Sequence, residues 1–524
     1  MHQLQAWIRL KVNSPAPLFT FWFPRRLNAD SARNLLANLL ALRRKWKAHK
    51  RGAILVPIGG SEPTEARSRG MNRIALLKRV SWATALAAIC SIATSRELQA
   101  QVVGGFQQAV GGVSIDADGA LKNAERDALK QLAQLRQRAL AEAPGDLKQP
   151  AELRKVSLRR LEQAIGECLR EGKPLGDEIR FLAGLQRIRY IFVYPEQNDI
   201  VLAGYGEGWT VNSQGFVVGS TTGRPVLLLD DLLVALRSAR QAARGGITCS
   251  IDPTAEGLRD LQAFLGTLPG LGEKPATLET IERKLGMQTI TVNGVPAESH
   301  FARVLVAADY RMKRLGMNFE PAPVPGLPSY LTMIKGKSAG QQNMLPRWWL
   351  ATNYDPLLTD ADGLAWELRG QGVKGMAEDD FLAADGTRQH SGKASPAAKR
   401  WADNLTARYE ELSGKSPIFA QLRNCMDLAV VSALVFKEHL AEKAGLALGL
   451  MLDDVDLPGE KYFVPKQVAS KASVVETRSS YIISVSGGVA IDSWQVADKK
   501  ETSAELAPAR TAAKPGEAGR WWWN

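Results

Sequence analysis

The feature that most constrains this chain lies inside it. Met71 opens a short basic segment with Arg73, Lys78 and Arg79, the uncharged run Val80–Ser95 follows, and Leu98-Gln99-Ala100 precedes Gln101. Charged start, apolar middle and small-residue exit form the layout of a secretory signal peptide. The exit is imperfect, because Leu98 stands where a small residue is preferred. Read this way, residues 71–100 are removed by cleavage after Ala100, and folding concerns only what comes later.

A membrane anchor is the competing reading of the same run. Sixteen uncharged residues separate Arg79 from Arg96, and at about 1.5 Å per residue they fall short of a ~30 Å hydrocarbon core. Ser81, Thr84, Ser91 and Thr94 dilute the run further. The expectation is an exported protein, periplasmic or extracellular, with no stable membrane span after cleavage.

Charge follows the same division. The formal net charge is +13, which invites a nucleic-acid reading. Yet residues 1–70 hold 13 Lys and Arg against 3 acidic residues, and residues 71–100 hold four bases against Glu97, which together account for the whole excess. The remaining body is neutral and has no long-range field to draw in polyanions, so nucleic acid is not an expected partner. Residues 1–70 form a basic extension with the cluster Arg43–Arg51 behind a leucine-rich stretch. They read as a mis-assigned start, or alternatively as a basic amphipathic segment suited to an anionic membrane.

Cleavage of 100 residues leaves 424 of the 524, enough for two or three domains. Three cysteines remain, Cys168, Cys249 and Cys425, with no Cys-x-x-Cys, so at most one disulfide is possible. Burial rather than covalent stapling must stabilise the body.

Helices are expected over 120–141, 153–169, 226–242, 254–268, 297–316, 397–412 and 418–444, from apolar spacing near 3.6 residues. Strands are expected at 188–194 and 200–203 as a hairpin, at 247–251 and 289–292, at 347–354, 363–368 and 373–379 as an antiparallel meander, and at 473–476 and 481–491. The class is α+β, with helices and mainly antiparallel strands and no regular βαβ alternation. Domain boundaries fall at 101–184 for a helical N-terminal region and at 185–345 and 346–495 for two α+β domains. The tail 496–524, poor in hydrophobes, is expected to be disordered.

Motifs with catalytic meaning are weak. Gly336-Lys337-Ser338 and Gly414-Lys415-Ser416 lack the earlier glycine of a phosphate loop, its place being taken by Leu331 and Tyr409. Gly204-Tyr205-Gly206-Glu207-Gly208 follows a strand, but Trp209-Thr210-Val211 favours extension rather than a helix, so it reads as a turn. Asp116-Ala117-Asp118-Gly119 and Asp360-Ala361-Asp362-Gly363 place glycine at loop position four rather than six and read as turns, while Asp453-Asp454-Val455-Asp456 is an acidic loop. His300, His390 and His439 stand at no metal-ligand spacing, and no metal or cofactor is expected. Glu298-Ser299-His300 offers acid, hydroxyl and imidazole together, but neighbours in sequence rarely converge, and His300 reads as a polar helix-start residue. Trp348, Trp349 and Trp366 on the expected meander could form a glycan platform, though alternation sends at least one of them to the core. Gly111–Asp116 echoes Gly487–Asp492 at five of six positions, a similarity that neighbouring strands or chance would produce.

Three stretches are distinctive as a set: Arg189–Gly204 (RYIFVYPEQNDIVLAG), Gly294–Gly316 (GVPAESHFARVLVAADYRMKRLG) and Pro417–Ala433 (PIFAQLRNCMDLAVVSA). The chain resembles, over about residues 101–495, the planctomycete family of secreted proteins carrying a domain of unknown function. The resemblance implies export and makes Met71 the natural start. It implies no activity and no catalytic residues, so the catalytic set is unknown. The functional expectation is a non-catalytic structural or interaction protein of the cell envelope, with an envelope protein or glycan as partner. The alternative is an extracytoplasmic hydrolase acting on carbohydrate or peptide through an Asp/Glu pair that leaves no local sequence trace.

Overall fold

A nine-stranded sheet organises the chain. In the computed structural model, which describes residues 113–115, 120–123, 134, 136, 137, 140, 143–268, 275–335, 344–383, 387–473 and 485–514, its order is Val113–Ile115, Ala120–Asn123, Gln467–Ala469, Met287–Asn293, Ile247–Asp252, Ser486–Ile491, Met344–Asn353, Gly372–Leu382 and Arg388–His390. A six-stranded sheet runs Lys500–Thr502, Leu357–Thr359, Ala365–Glu367, Tyr190–Tyr194, Asp199–Gly206 and Ala151–Ser157. The class is α+β.

At the centre of the large sheet, Ser486–Ile491 runs parallel to Met344–Asn353 and antiparallel to Ile247–Asp252. Its two glycines are sterically required. A Cβ on Gly487, whose φ is +118°, would fall 1.7 Å from the Trp348 carbonyl oxygen, and one on Gly488 would fall 1.7 Å from that of Cys249. The sequence echo of this strand, Val113–Ile115, lies at the sheet edge with four strands between them. The two are not neighbours.

Helix Pro417–Lys437 is the core of the protein. It is buried over almost its whole length and packs on helices Leu229–Ala242, His300–Gly316 and Ser493–Asp498. It is long and apolar enough to cross a membrane, yet 94% of its most apolar window is buried inside the protein. The expected helix 418–444 stops at Lys437 because His439 turns left-handed (φ +54°), and a short helix, Leu440–Ala444, follows.

Several expectations need correction. The helix expected at 153–169 is half strand: Ala151–Ser157 pairs with Asp199–Gly206, and the helix is Leu158–Arg170, capped by Ser157 Oγ accepting from Arg160 N. Ala120–Asn123, at the start of the helix expected over 120–141, is a strand, so in the described part of 101–184 strands stand beside the helices Leu158–Arg170 and Asp177–Arg180. The meander does not exist as one unit. Met344–Asn353 pairs directly with Gly372–Leu382, while Ala365–Glu367 pairs with Tyr190–Tyr194 in the other sheet. The large sheet takes strands from both sides of 184/185 and 345/346, and one continuous core spans those boundaries. The expected tail is ordered as far as Lys514: Lys500–Thr502 pairs with Leu357–Thr359, and helix Leu506–Ala512 brings Leu506 and Ala513 onto Phe192, Tyr194 and Val201. Borrowed apolar surface makes up for its own poverty in hydrophobes. The basic extension, the signal segment, Gly336-Lys337-Ser338 and Asp116–Gly119 lie outside the described residues.

Other elements agree closely. The 190–206 hairpin turns at Asn198, in the left-handed region at φ +52°, with Tyr194 opposite Asp199. Thr254 caps Ala255–Leu265 by accepting from Gly257 N. Cys168, Cys249 and Cys425 are all free thiols.

Candidate functional site

Two helices bring their N-termini together around a buried acid–imidazole pair. Helix Leu229–Ala242 carries Asp230 and Asp231 in its first turn, and helix His300–Gly316 begins with His300. Each fits its place: carboxylates favour the positive end of a helix, and Ser299 caps the second helix by accepting from Ala302 N at 3.1 Å. The Ser299 hydroxyl also donates to Pro296 O at 2.6 Å, so it is engaged structurally and does not join His300 as the sequence triplet would suggest.

His300 Nδ1 lies 3.0 Å from both carboxylate oxygens of Asp231. Both residues are buried. An ionised carboxylate can only accept, so this geometry suits a proton on Nδ1 directed at Asp231. Among the described residues nothing hydrogen-bonds to Nε2. Asp230 is half-buried next to this pair, and burial, reinforced by Glu460 and Asp231, pushes its carboxyl up to about 6. A carboxylate pair plus an oriented imidazole is an acid–base assembly in kind.

A strap covers it. Residues 453–466 run without regular structure from the short helix Gly449–Leu452 to strand Gln467–Ala469. Arg237 holds the strap's start, donating from Nε to Met451 O at 2.9 Å and from Nη2 to Asp453 O at 2.7 Å and Leu457 O at 2.9 Å. Its far end is held by Tyr462 N donating to Glu298 O at 2.8 Å and by Arg303 donating to Phe463 O at 2.9 Å. Arg180 pairs with Glu460 at 3.2 Å. The Tyr462 ring lies 5.5 Å from the His300 ring, centroid to centroid. Met451, Leu457 and Pro465 face inward, whereas Val455 is 81% exposed and Phe463 50%, and Leu452 and Val464 are exposed with them. Asp453-Asp454-Val455-Asp456 is an acidic loop as expected, folded by Asp453 Oδ1 accepting from Val455 N and Asp456 N.

Two other buried charged groups, Lys313 and Glu207, are each held by three hydrogen bonds. Lys313 Nζ, deep in the core, donates to Asp309 Oδ2 at 2.9 Å, Ile251 O at 2.9 Å and Gly487 O at 3.0 Å. Burial pushes the Asp309 carboxyl up to about 7 against the pull of Lys313. Glu207, from the glycine-rich motif, is fully buried and accepts from Gln186 Nε2 at 2.6 Å, Thr222 N at 2.9 Å and Thr222 Oγ1 at 2.6 Å. That motif is a strand-to-strand turn clasping the 217–224 loop, with no helix after it. The Asp360 turn is likewise confirmed, Asp360 Oδ1 accepting from Leu364 N and Ala365 N.

The aromatic platform is not formed. Trp348 is fully buried against Trp401 (4.3 Å between centroids) and Tyr330, Trp366 is buried in the other sheet, and Trp349 lies under Arg347. Core packing claims two of the three rings. Histidine spacing says nothing of cross-strand neighbours: pairing sets His390 opposite Asp380, and with Glu378 these offer ligand atoms within 4.8 Å of one another. Arg388 and Arg347 already neutralise the two carboxylates. A divalent cation would have to displace both guanidiniums, so this group fits a salt-bridged sheet edge better than a metal centre.

Sequence reasoning singled out His300 but not its partner. Asp231 lies 69 residues away. The one local trace is the acidic pair opening a helix.

Residues 249–330 match a family described as a protein of unknown function, DUF1598. The matched segment runs from strand Ile247–Asp252 through His300 to Tyr330. No curated protein and no solved structure shows significant similarity to the chain.

Proposed function

We propose that this is an exported interaction protein of the cell envelope and that the 453–466 strap is the surface it uses. The observation that carries the reading is the strap's display of Val455 and Phe463 to solvent on a backbone tied down by Arg237 and Arg303. Holding apolar side chains rigidly in water is unfavourable unless a partner covers them, and prior ordering lowers the entropic cost of binding. Asp453, Asp454, Asp456 and Glu460 on the same strap suit a partner segment that is both apolar and cationic. The signal-peptide layout of residues 71–100 and the neutral body support export, as does the resemblance to secreted planctomycete proteins.

Photo-cross-linking in the native cell tests this. A photoreactive residue at Val455 should give a discrete product in the envelope fraction, containing a chain that begins near Gln101. The same probe at the exposed Lys399 should give none, and Phe463→Asp should abolish the Val455 product. A chain that retains residues 1–70 and stays in the cytosol, or a Val455 pattern identical to that from Lys399, overturns the reading.

A second reading, the extracytoplasmic hydrolase acting on carbohydrate or peptide, draws on one observation: Asp230, Asp231 and His300 form an acid–base group under the strap. In that case His300→Gln would remove turnover of an envelope substrate while leaving the Val455 cross-link in place.

A further inference from the structure

A second group of charges, in which Arg187, Arg224, Arg423, Glu410, Asp427 and Tyr354 meet, is not balanced. Arg423 projects from the second turn of helix Pro417–Lys437 and its side chain is only 4% exposed. Its Nη1 donates to Glu410 Oε2, and Arg224 Nη2 donates to the other oxygen of the same carboxylate at 2.8 Å. Arg187 Nε donates to the fully buried Asp427 Oδ2 at 3.1 Å, and Tyr354 donates to Asp427 Oδ1 at 2.6 Å. Gly372 lets the arginines converge: a Cβ there would stand 2.9 Å from Arg423 Cγ and 3.5 Å from Arg187 Nη2.

Three guanidiniums therefore face two carboxylates, an excess of one positive charge. The imbalance has a definite location. Arg423 Nε is buried and has no acceptor among the described residues, and a charged donor buried without an acceptor is costly. Glu410, by contrast, is half exposed, on the short helix Tyr409–Lys415. Burial pushes its carboxyl up, but Arg423 and Arg224 more than reverse this and hold it below the usual value.

We propose that Arg187, Arg224 and Arg423 form a binding site for a carboxylate-bearing ligand, and that Glu410 is the internal carboxylate that competes for it. Glu410 demonstrates the chemistry: one planar carboxylate already bridges two of the guanidiniums through charge-assisted hydrogen bonds, one to each oxygen. Its exposure leaves it free to swing toward solvent. An incoming carboxylate then meets Arg224 and Arg423 and finds Arg423 Nε still unused. Half-exposed Arg224 and Glu410 place the mouth of the site at the surface.

The test follows thermal unfolding of the folded chain with sodium acetate, succinate, phosphate or chloride at fixed ionic strength. Glu410→Gln keeps the shape of the side chain and removes its charge, so it should melt several degrees lower in chloride, and acetate or succinate should restore the loss. Wild type should respond to the same carboxylates with an apparent Kd at least tenfold weaker, since Glu410 competes. Adding Arg224→Gln, a half-exposed position whose loss leaves the core intact, should weaken the carboxylate response of Glu410→Gln a further tenfold or so. Equal stabilisation by chloride and the carboxylates in both wild type and Glu410→Gln overturns the proposal. So does a response confined to phosphate.

Discussion

Helix His300–Gly316 carries two acid–base pairs, and they are built for opposite purposes. In its middle, Lys313 gives each of its three protons to an acceptor, one on Asp309 and two on carbonyls of neighbouring strands. At its start, His300 leans on Asp231 through one nitrogen and leaves the other without a described partner, beside a second carboxylate and under a strap. The first pair ties the helix to the centre of the nine-stranded sheet. The second stores ionisable groups where movement of one segment would expose them. An ammonium with every donor occupied marks a clamp, even though Asp309 Oδ1 has no partner among the described residues, and a ring nitrogen left without one marks a place where something else can act.

The sharpest way to break this contrast is at the clamp. Lys313→Met removes the ammonium and leaves Ile251 O, Gly487 O and the Asp309 carboxyl without their donor. Stability to denaturant should fall by about 3–5 kcal/mol, the range for breaking a buried pair. A loss under 1 kcal/mol would mean that the core rearranges freely there, and the clamp reading would fail.

Asp230 should behave in the reverse sense. Its folded-state carboxyl lies near 6, above the ordinary 3.8. The folded protein therefore holds that proton more tightly than the unfolded chain does, and wild type loses stability as pH rises from about 4 through about 6. Asp230→Asn should be more stable than wild type by about 3 kcal/mol at pH 8, and the difference should vanish near pH 4. Denaturant melts at the two pH values measure it. A pH-independent difference would place the effect elsewhere than in this charge.

His300→Leu comes next. It leaves Asp231 buried with its imidazole partner gone, at a cost of about 1–3 kcal/mol. Because the ring also supports Tyr462, amide exchange of strap residues 458–464 should quicken while exchange in helix Pro417–Lys437 stays unchanged. Uniform loss of protection would make the strap part of the core rather than a cover.

How much of this could be read from the sequence depends on range. Local signals were legible: the hairpin of 188–194 and 200–203 and the Asp360 turn both follow from residues within a few positions of each other. Elements decided by distant pairing were not. Ala151–Ser157 looked helical because Leu161 and Ile165 beyond it are helical, and its strand state is settled by Asp199–Gly206. The supposed meander failed because Ala365–Glu367 joins a strand near residue 190. The tail folds on borrowed surface. The candidate site divides the same way: His300 is visible in the sequence, whereas Asp231 and Tyr462 arrive from two other segments.

The smallest stability effect belongs to the most informative substitution. Val455 is 81% exposed, so Val455→Asp removes little buried surface and should alter folding stability by no more than about 0.5 kcal/mol. The strap's anchors, Arg237 and Arg303, bind backbone carbonyls and are untouched by the change. If the strap is a binding surface, a near-silent change in folding must still eliminate association with a cationic apolar partner. An amphipathic Lys/Leu peptide is a suitable probe, with a Glu/Leu peptide of the same length as control. Wild type should bind the first, Val455→Asp should bind it at least tenfold more weakly, and neither should bind the second. Charge alone would give the opposite ranking, because an added aspartate strengthens attraction to a lysine-rich peptide. Tighter binding by Val455→Asp would therefore reduce the strap to an acidic surface loop, whereas weaker binding requires that the exposed apolar side chain itself makes contact.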